Sequence, residues 1–480
     1  MSSPSGTGKA DRAPTDIARL DEAARPVPFR DAFWTWVRIA ALSFGGPAGQ
    51  IAVMHRILVE EKRWISERRF LHALNYCMLL PGPEAHQLAV YIGWLQHRIR
   101  GGIIAGTLFI LPGLVALGIL SWVYAAFGQI GTVQALFFGL KAAVLAVVVE
   151  AVLRVGKRAL KSRAEIAVAA FAFVAIFFFA IPFPILIIAA AIAGWLGRSA
   201  GGLASSGPHA PRGPAVEAPG IVDRMFESGI PDHVRPSFAR FFRIATAGLA
   251  LWLGPLALLF VVLGPQDVFT VIAAFNSKMA VVTFGGAYAV LAYMAQQAVE
   301  TYHWLKPDEM LVGLGFAETT PGPLISVVQF VGFMAAFRDP GTLPPLLAGT
   351  IGGAVAMWST FVPSFLWIFL GAPYVESLLG NKALSAMLSA ITAAVVGVIL
   401  NLAVWFALHT LFGRVEDVSR FGMILHEPEL GSVNWGSVLL SMVAVLALFR
   451  FKLGMIPTLA LCSGLGVLFY ASPLLRPLMG

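Results

Sequence analysis

Glu84 and His86 stand directly behind Pro81-Gly82-Pro83, in the stretch LLPGPEAHQL (79–88). A carboxylate and an imidazole two residues apart are candidate proton carriers, and Glu150 and Glu318 add two more in apolar surroundings. Arg38 and Lys278 each lie six residues before a Phe-Gly-Gly, at Phe44-Gly45-Gly46 and Phe284-Gly285-Gly286. A charge at the centre of a membrane helix costs at least ~2.5 kcal/mol on insertion scales, so neither cation is retained idly. Two readings stay open for them: a pair of cations for an anionic ligand, or side chains that snorkel to the interface. For the carboxylates and the histidine the competing reading is a buried, hydrogen-bonded side chain. Lys141 is a weaker anion candidate. Its spacing from Glu150 does not place the two on one helix face.

The elements that must position these groups are membrane helices. Of 480 residues, 58% are hydrophobic and 12% charged, against about 25% charged in a soluble domain. Apolar runs long enough to span a bilayer recur at 103–127, 132–153, 244–263 and 383–408. The fold class is an all-α polytopic membrane protein. A barrel would instead show alternating segments of about ten residues. Residues 1–28 form a polar tail with no signal-peptide core. Cys77 and Cys462 lie far apart in apolar segments, so neither a disulfide framework nor a metal site is expected. The net charge of +8 reads as basic cytoplasmic loops rather than nucleic-acid binding. No H-E-x-x-H, P-loop or G-x-S-x-G occurs, and no cofactor is expected. Glu84 to Gln87 is the nearest candidate for a membrane-embedded enzyme acting on an anionic lipid.

The chain repeats itself. Phe44, Gly45 and Gly46 recur 240 residues later, as do Met54 (Met294), Trp64 (Trp304) and Pro81-Gly82-Pro83 (Pro321-Gly322-Pro323). Further on the offset is 251, matching Pro112 to Pro363 and Ala142-Ala143-Val144 to Ala393-Ala394-Val395. The organisation is a tail (1–28), a first membrane repeat (29–198), a linker (199–240) whose Gly/Ser/Pro-rich part reads as exposed, a connecting span (241–264) and a second repeat (265–480).

Basic residues orient the repeats. Loop 55–69 holds Arg56, Lys62, Arg63, Arg68 and Arg69, whereas its counterpart 295–309 holds only Lys306. Turn 154–163 holds five basic residues, and its counterpart is poor in them. The halves therefore read as inverted, with first-half loops cytoplasmic. If loop 55–69 and residues 96–100 share a side, segment 70–95 enters and leaves without crossing. It would form two arms of about eleven residues, each about 15 Å long, around Pro81-Gly82-Pro83. Helices that start inside a membrane point free amides and a positive dipole end at whatever lies there, which favours an anion. The competing reading is a plain proline kink, or in the glycine pairs a close helix contact.

FGGPAGQIAVMH (44–55), the EKRW run at Glu61, LPGPEAHQLAVYIGW (80–94) and GGIIAGTLFILPG (101–113) together resemble the chromate ion transporter family in its long two-domain form, and the second FGG and TTPGP resemble its second repeat. The resemblance implies an inner-membrane, multi-pass secondary transporter that exports chromate and confers chromate resistance, with sulfate the obvious alternative oxyanion. It implies a small anion and membrane lipid as partners, and no nucleic acid. A homodimer stays open. The substrate shell expected between the halves comprises Arg38, Gly45, Gly46, Gly82 and Gln87 from one half and Lys278, Gly285, Gly286, Thr319 and Thr320 from the other, with Glu84 and His86 for proton coupling. Leu324 replaces Glu84 and Val327 replaces Gln87 in the second half, so that side of the site is expected to be less polar.

Overall fold

A computed structural model describes residues 27–197, 220–227, 231–284, 287–375 and 382–475. The first half runs α1 (Phe29–Leu42), α2 (Gly46–His55), α3 (Glu67–Cys77), α4 (Glu84–Phe127), α5 (Gly131–Ala159), α6 (Arg163–Phe179) and α7 (Phe183–Gly197). Then come α8 (Ile221–Glu227) and α9 (Phe238–Leu263). The second half runs α10 (Val268–Val282), α11 (Ala287–Gln296), α12 (Pro307–Thr319), α13 (Val328–Arg338), α14 (Pro345–Gly371), α15 (Lys382–Leu411), α16 (Trp435–Val445) and α17 (Met455–Ala471). Five helices, α4, α5, α9, α14 and α15, are long and apolar enough to cross a membrane. The most apolar window of α9 is only 6% buried within the protein. An apolar helix with that little protein cover belongs against lipid.

The expected breaks are present in both halves. Gly45 (φ 83°) and Gly46 (φ 71°) adopt left-handed backbone that ordinary residues avoid, and Pro47 follows in the first turn of α2. Gly82 (φ 132°) and Gly322 (φ 106°) turn the chain between α3 and α4 and between α12 and α13. Each turn thus joins two short arms, as expected for segment 70–95. After the second arm the chain doubles back. In the first half the reversal falls inside α4, at His97 and Arg98, whose backbone is non-helical. In the second half it falls at 339–344, between α13 and α14. The limbs then lie so close that a Cβ on Gly93 would meet the Gly101 carbonyl at 2.5 Å, and one on Gly332 the Gly352 carbonyl at 2.7 Å. Only glycine permits that approach.

Packing is exchanged between the halves. The last two helices of the first half, α6 and α7, cover α15, while α16 and α17 cover α5. The helices α5 and α15 pack on each other at the centre. Two departures from the sequence reading stand out. The fold is not purely helical: strands β1 (Val415–Arg420) and β2 (Met423–Pro428) pair as an antiparallel hairpin between α15 and α16. The linker is also not exposed throughout. Helix α8 docks on the first half, where Asp223 accepts hydrogen bonds from the Ser66 amide (2.8 Å) and Arg69 Nε (2.6 Å), and Val222 is buried. An acid at this short helix finds its partners far back in the chain, which is why composition alone misses it.

Candidate functional site

The two pairs of breaks meet at one crossing, and they meet reciprocally. The Gly82 amide donates to the carbonyl of Thr283, just before the second Phe-Gly-Gly, at 2.9 Å. The Gly322 amide donates to the carbonyl of Ser43, just before the first, also at 2.9 Å. Gln50 Nε2 adds a bond to the Gly322 carbonyl at 2.5 Å. Each proline-glycine turn also rests on the long helix of the other half. His86 Nδ1 lies 2.9 Å from Ser364 Oγ, and Gly113 lies beneath the Pro321 carbonyl. Ser364 and Gly113 are themselves repeat counterparts. Two turns bonded in this reciprocal way are related by a local two-fold axis through the crossing.

Several buried polar atoms on residues at or within a few positions of these breaks have no partner among the described residues: Gln50 Oε1, His86 Nε2, Gln87 Oε1, Glu318 Oε2 and Ser326 Oγ. Buried polar groups are normally satisfied, so this concentration marks a place where water or a polar ligand belongs. The first turn of α2 has no side-chain cap, and its N-cap is Gly45. The start of α4 is likewise uncapped, with Glu84 in its first turn. The amides of both first turns have no acceptor inside their own helices.

The expected site residues divide into groups. Gly45, Gly46, Gly82, Gln87, Glu84 and His86 come together at the crossing. Gly46 stands 3.7 Å from Tyr288 Oη, measured from where its Cβ would be. Thr319 and Thr320 border it, but their hydroxyls donate to carbonyls of α12, at 2.9 Å in each case, and offer no free proton to an anion. Arg38 lies on the outer face of α1, exposed, and pairs with Glu61 at 2.7 Å. Lys278 is exposed on α10. Neither cation is gathered to the crossing. Gly285 and Gly286 lie outside the described residues.

Two further cations, not singled out in the sequence, lie within electrostatic reach of its carboxylates. Arg154, on α5, bonds Glu150 at 2.6 Å, and its field reaches Tyr288 and Glu318. The Tyr288 hydroxyl donates to Glu318 at 2.8 Å. Arg158, one turn on, is the charge that acts on Glu84. Both arginines sit in the basic run already counted as a cytoplasmic turn, so one observation hid the other. Lys141 is occupied by Asp308 at 3.3 Å.

Helix α2 is not packed against these arginines. Helix α11 packs along α15, and Tyr288 and Ala292 are buried there. Its counterpart α2 does not pack along α5. Ala48 is half-buried, and Ala52 and Arg56 are exposed. The same asymmetry divides the apolar core. Residues 54–95 form a cluster of their own with the end of α14, whereas the second-half unit belongs to the main cluster around α5 and α15.

Residues 30–195 and 270–468 match the family model described as Chromate transporter. The chromate transport protein of Pseudomonas aeruginosa is 31% identical over 389 residues, 80% of this chain and 82% of that protein. The chromate transport protein of Cupriavidus metallidurans is 27% identical over 438 residues, 91% of this chain and 92% of that protein. A probable chromate transport protein of Synechococcus elongatus is 27% identical over 402 residues, 82% of this chain and 90% of that protein. No solved structure matches the chain significantly.

Proposed function

The chain belongs to the chromate transporter family, and we propose that it exports chromate across a bacterial inner membrane, passing the dianion through the crossing between two oppositely oriented halves. The observation that carries this reading is the reciprocal bonding of Gly82 to Thr283 and Gly322 to Ser43. It sets uncapped helix starts and unpaired polar atoms around one point on a local two-fold axis. Inverted repeats with broken helices at such a point are a recurrent transporter design. The first-turn amides of α2 and α4 offer donors to the oxyanion, and Arg154 and Arg158 compensate its charge. Gly45, Gly46 and Gly82 let the backbone approach, and Gln87 orients it. Arg38 and Lys278 anchor α1 and α10 at their margins. Glu84 or His86 accepts the proton if transport is proton-coupled.

Charge supports the direction. With the cell interior negative, expelling two charges through 100 mV releases about 4.6 kcal/mol. The basic first-half loops support a cytoplasmic position for the first-half side, where a dianion to be exported must enter. Membership of a transporter family argues for carriage rather than bond-making. Sulfate shares the tetrahedral shape and charge of chromate, so the same shell could carry it. Counterflow into proteoliposomes, with chromate, sulfate and molybdate compared side by side, tests the reading. Chromate uptake exceeding the others is the expected result. Uptake of none of them would overturn it.

A further inference from the structure

The π-helical turns after α2 (Arg56–Glu61) and α11 (Gln297–Thr301) are the same structure twice. Lys62 donates to the Ile57 carbonyl at 2.9 Å and Tyr302 to that of Gln297 at 2.8 Å. Trp64 and Trp304 close the turns at 2.8 Å each, on Leu58 and Ala298. Arg63 (φ 51°) and His303 (φ 52°) follow in the same left-handed conformation. Glu60 and Glu300 therefore occupy one position in two copies. On the facing core helices, Arg154 and Trp405 likewise occupy one position, fixed by the matching Ala-Ala-Val.

In the second half these two positions come together. Glu300, itself exposed, and the buried Trp405 line one cavity of about 70 Å³, room for a few waters, with Gln296 and with Asp417 and His426 of the β-hairpin. In the first half they are apart. Glu60 is 60% exposed and lies 3.1 Å from His55, while Arg154 turns to Glu150 on its own helix. The separated pair carries opposite charges where the joined pair carries a carboxylate and an indole.

We propose that Glu60 and Arg154 form the ion pair that closes the first-half side in the other state of this carrier, the counterpart of the approach of Glu300 and Trp405 on the second-half side. Two copies of one unit share one closed packing, and exchanging which copy adopts it turns the access of the site around. The exchange has a chemical consequence. When Arg154 swings to Glu60 it leaves Tyr288 and Glu318, so the anion loses a compensating cation as the first-half side closes and is free to leave on the far side. The inference rests on the transport reading above.

The test uses the full chain with Cys77→Ser and Cys462→Ala, in membrane vesicles. Two double variants are made, Glu60→Cys with Arg154→Cys and Glu300→Cys with Trp405→Cys, and oxidised with copper phenanthroline. Both pairs are expected to cross-link, the second faster because its positions already line one cavity, and each cross-link blocks chromate flux. Variants at Glu60 alone leave Arg154 in place for the anion. Glu60→Gln should lower flux about tenfold and Glu60→Asp should keep most of it. If the second pair cross-links and the first never does, or Glu60→Gln transports as the parent does, the gate pair is wrong. If both pairs cross-link but the parent moves no chromate, the gate stands and the assigned substrate falls.

Discussion

The second-half unit, α11 to α13, lies against both α5 and α15, whereas its counterpart, residues 46–96, packs on the end of α14 and stands away from the central helices. Internally the two units are alike. Each has the positive-φ glycine at the turn, the π-helical turn and the doubled-back limb. The difference is one of seating, not of internal structure. A preserved backbone with a changed docking face is what a rigid-body movement leaves behind. The docking faces explain which unit is loose. Tyr288, Ala292 and Gln296 present a largely neutral surface to α15, while Ala48, Ala52 and Arg56 face an α5 that carries Arg154 and Arg158. Bringing Arg56 and Arg154 together without an anion costs like-charge repulsion.

The comparison breaks outright if the units are not inverted. Cysteine placed at Ser66 and at Thr301 should be labelled from opposite sides of intact cells by an impermeant maleimide. Labelling of both from one side would end the two-fold reading. Next in size are the turns. Gly82→Val and Gly322→Val should each abolish chromate flux, a loss of more than about tenfold, because a β-branched residue at positive φ is strained wherever it sits. Both proteins should still reach the membrane, as immunoblots of membrane fractions would show. If one variant transports normally, only the other turn belongs to the pathway.

A subtler contrast separates Glu84 from Leu324, its counterpart. If Glu84 takes up a proton as the dianion arrives, Glu84→Gln should keep chromate binding and flatten the dependence of flux on pH, and adding Leu324→Glu should not restore it. Flux against pH in voltage-clamped vesicles decides this, and an unchanged profile would leave Glu84 a structural residue. The smallest effect concerns α8. Asp223→Ala removes charged hydrogen bonds to Ser66 and Arg69, worth about 2 kcal/mol in sum. It should lower the thermal midpoint of the purified protein by a few degrees with flux nearly intact.

The breaks were legible because proline and glycine carry backbone reasons that need no partner. Pro81-Gly82-Pro83 reads either as a kink or as the end of one helix and the start of another, and its recurrence in the second half favours the second. The reversal at His97 and Arg98 was not legible. Arg98 adopts φ 58° without being glycine, and only the facing limb, through Gly93 and Gly101, imposes it. The exchange of α6–α7 with α16–α17 was equally hidden, since apolar helices carry no label naming their partner. For the proposed site, motif spacing points to Gly46, Gly82 and Gln87, which lie at the crossing, and to Arg38 and Lys278, which are exposed. Those two recur at a fixed distance from the Phe-Gly-Gly, yet helix rotation points both outward. Arg154 has no basic counterpart, because Trp405 takes its place, so a search for repeated charges passes over it.

The reciprocal backbone bonds also bear on biosynthesis. While the first half is being inserted, the Gly82 amide has no acceptor, because Thr283 has not been made. About 200 residues separate them, which at ribosomal speeds of 5–20 residues per second is roughly 10–40 s. For that interval a hairpin with an unsatisfied donor must wait in the membrane, and the nascent chain depends on the translocon or on water to shelter it. Neither half completes its own turn. Two separately translated halves should therefore each be short-lived alone, and should stabilise one another when made in the same cell.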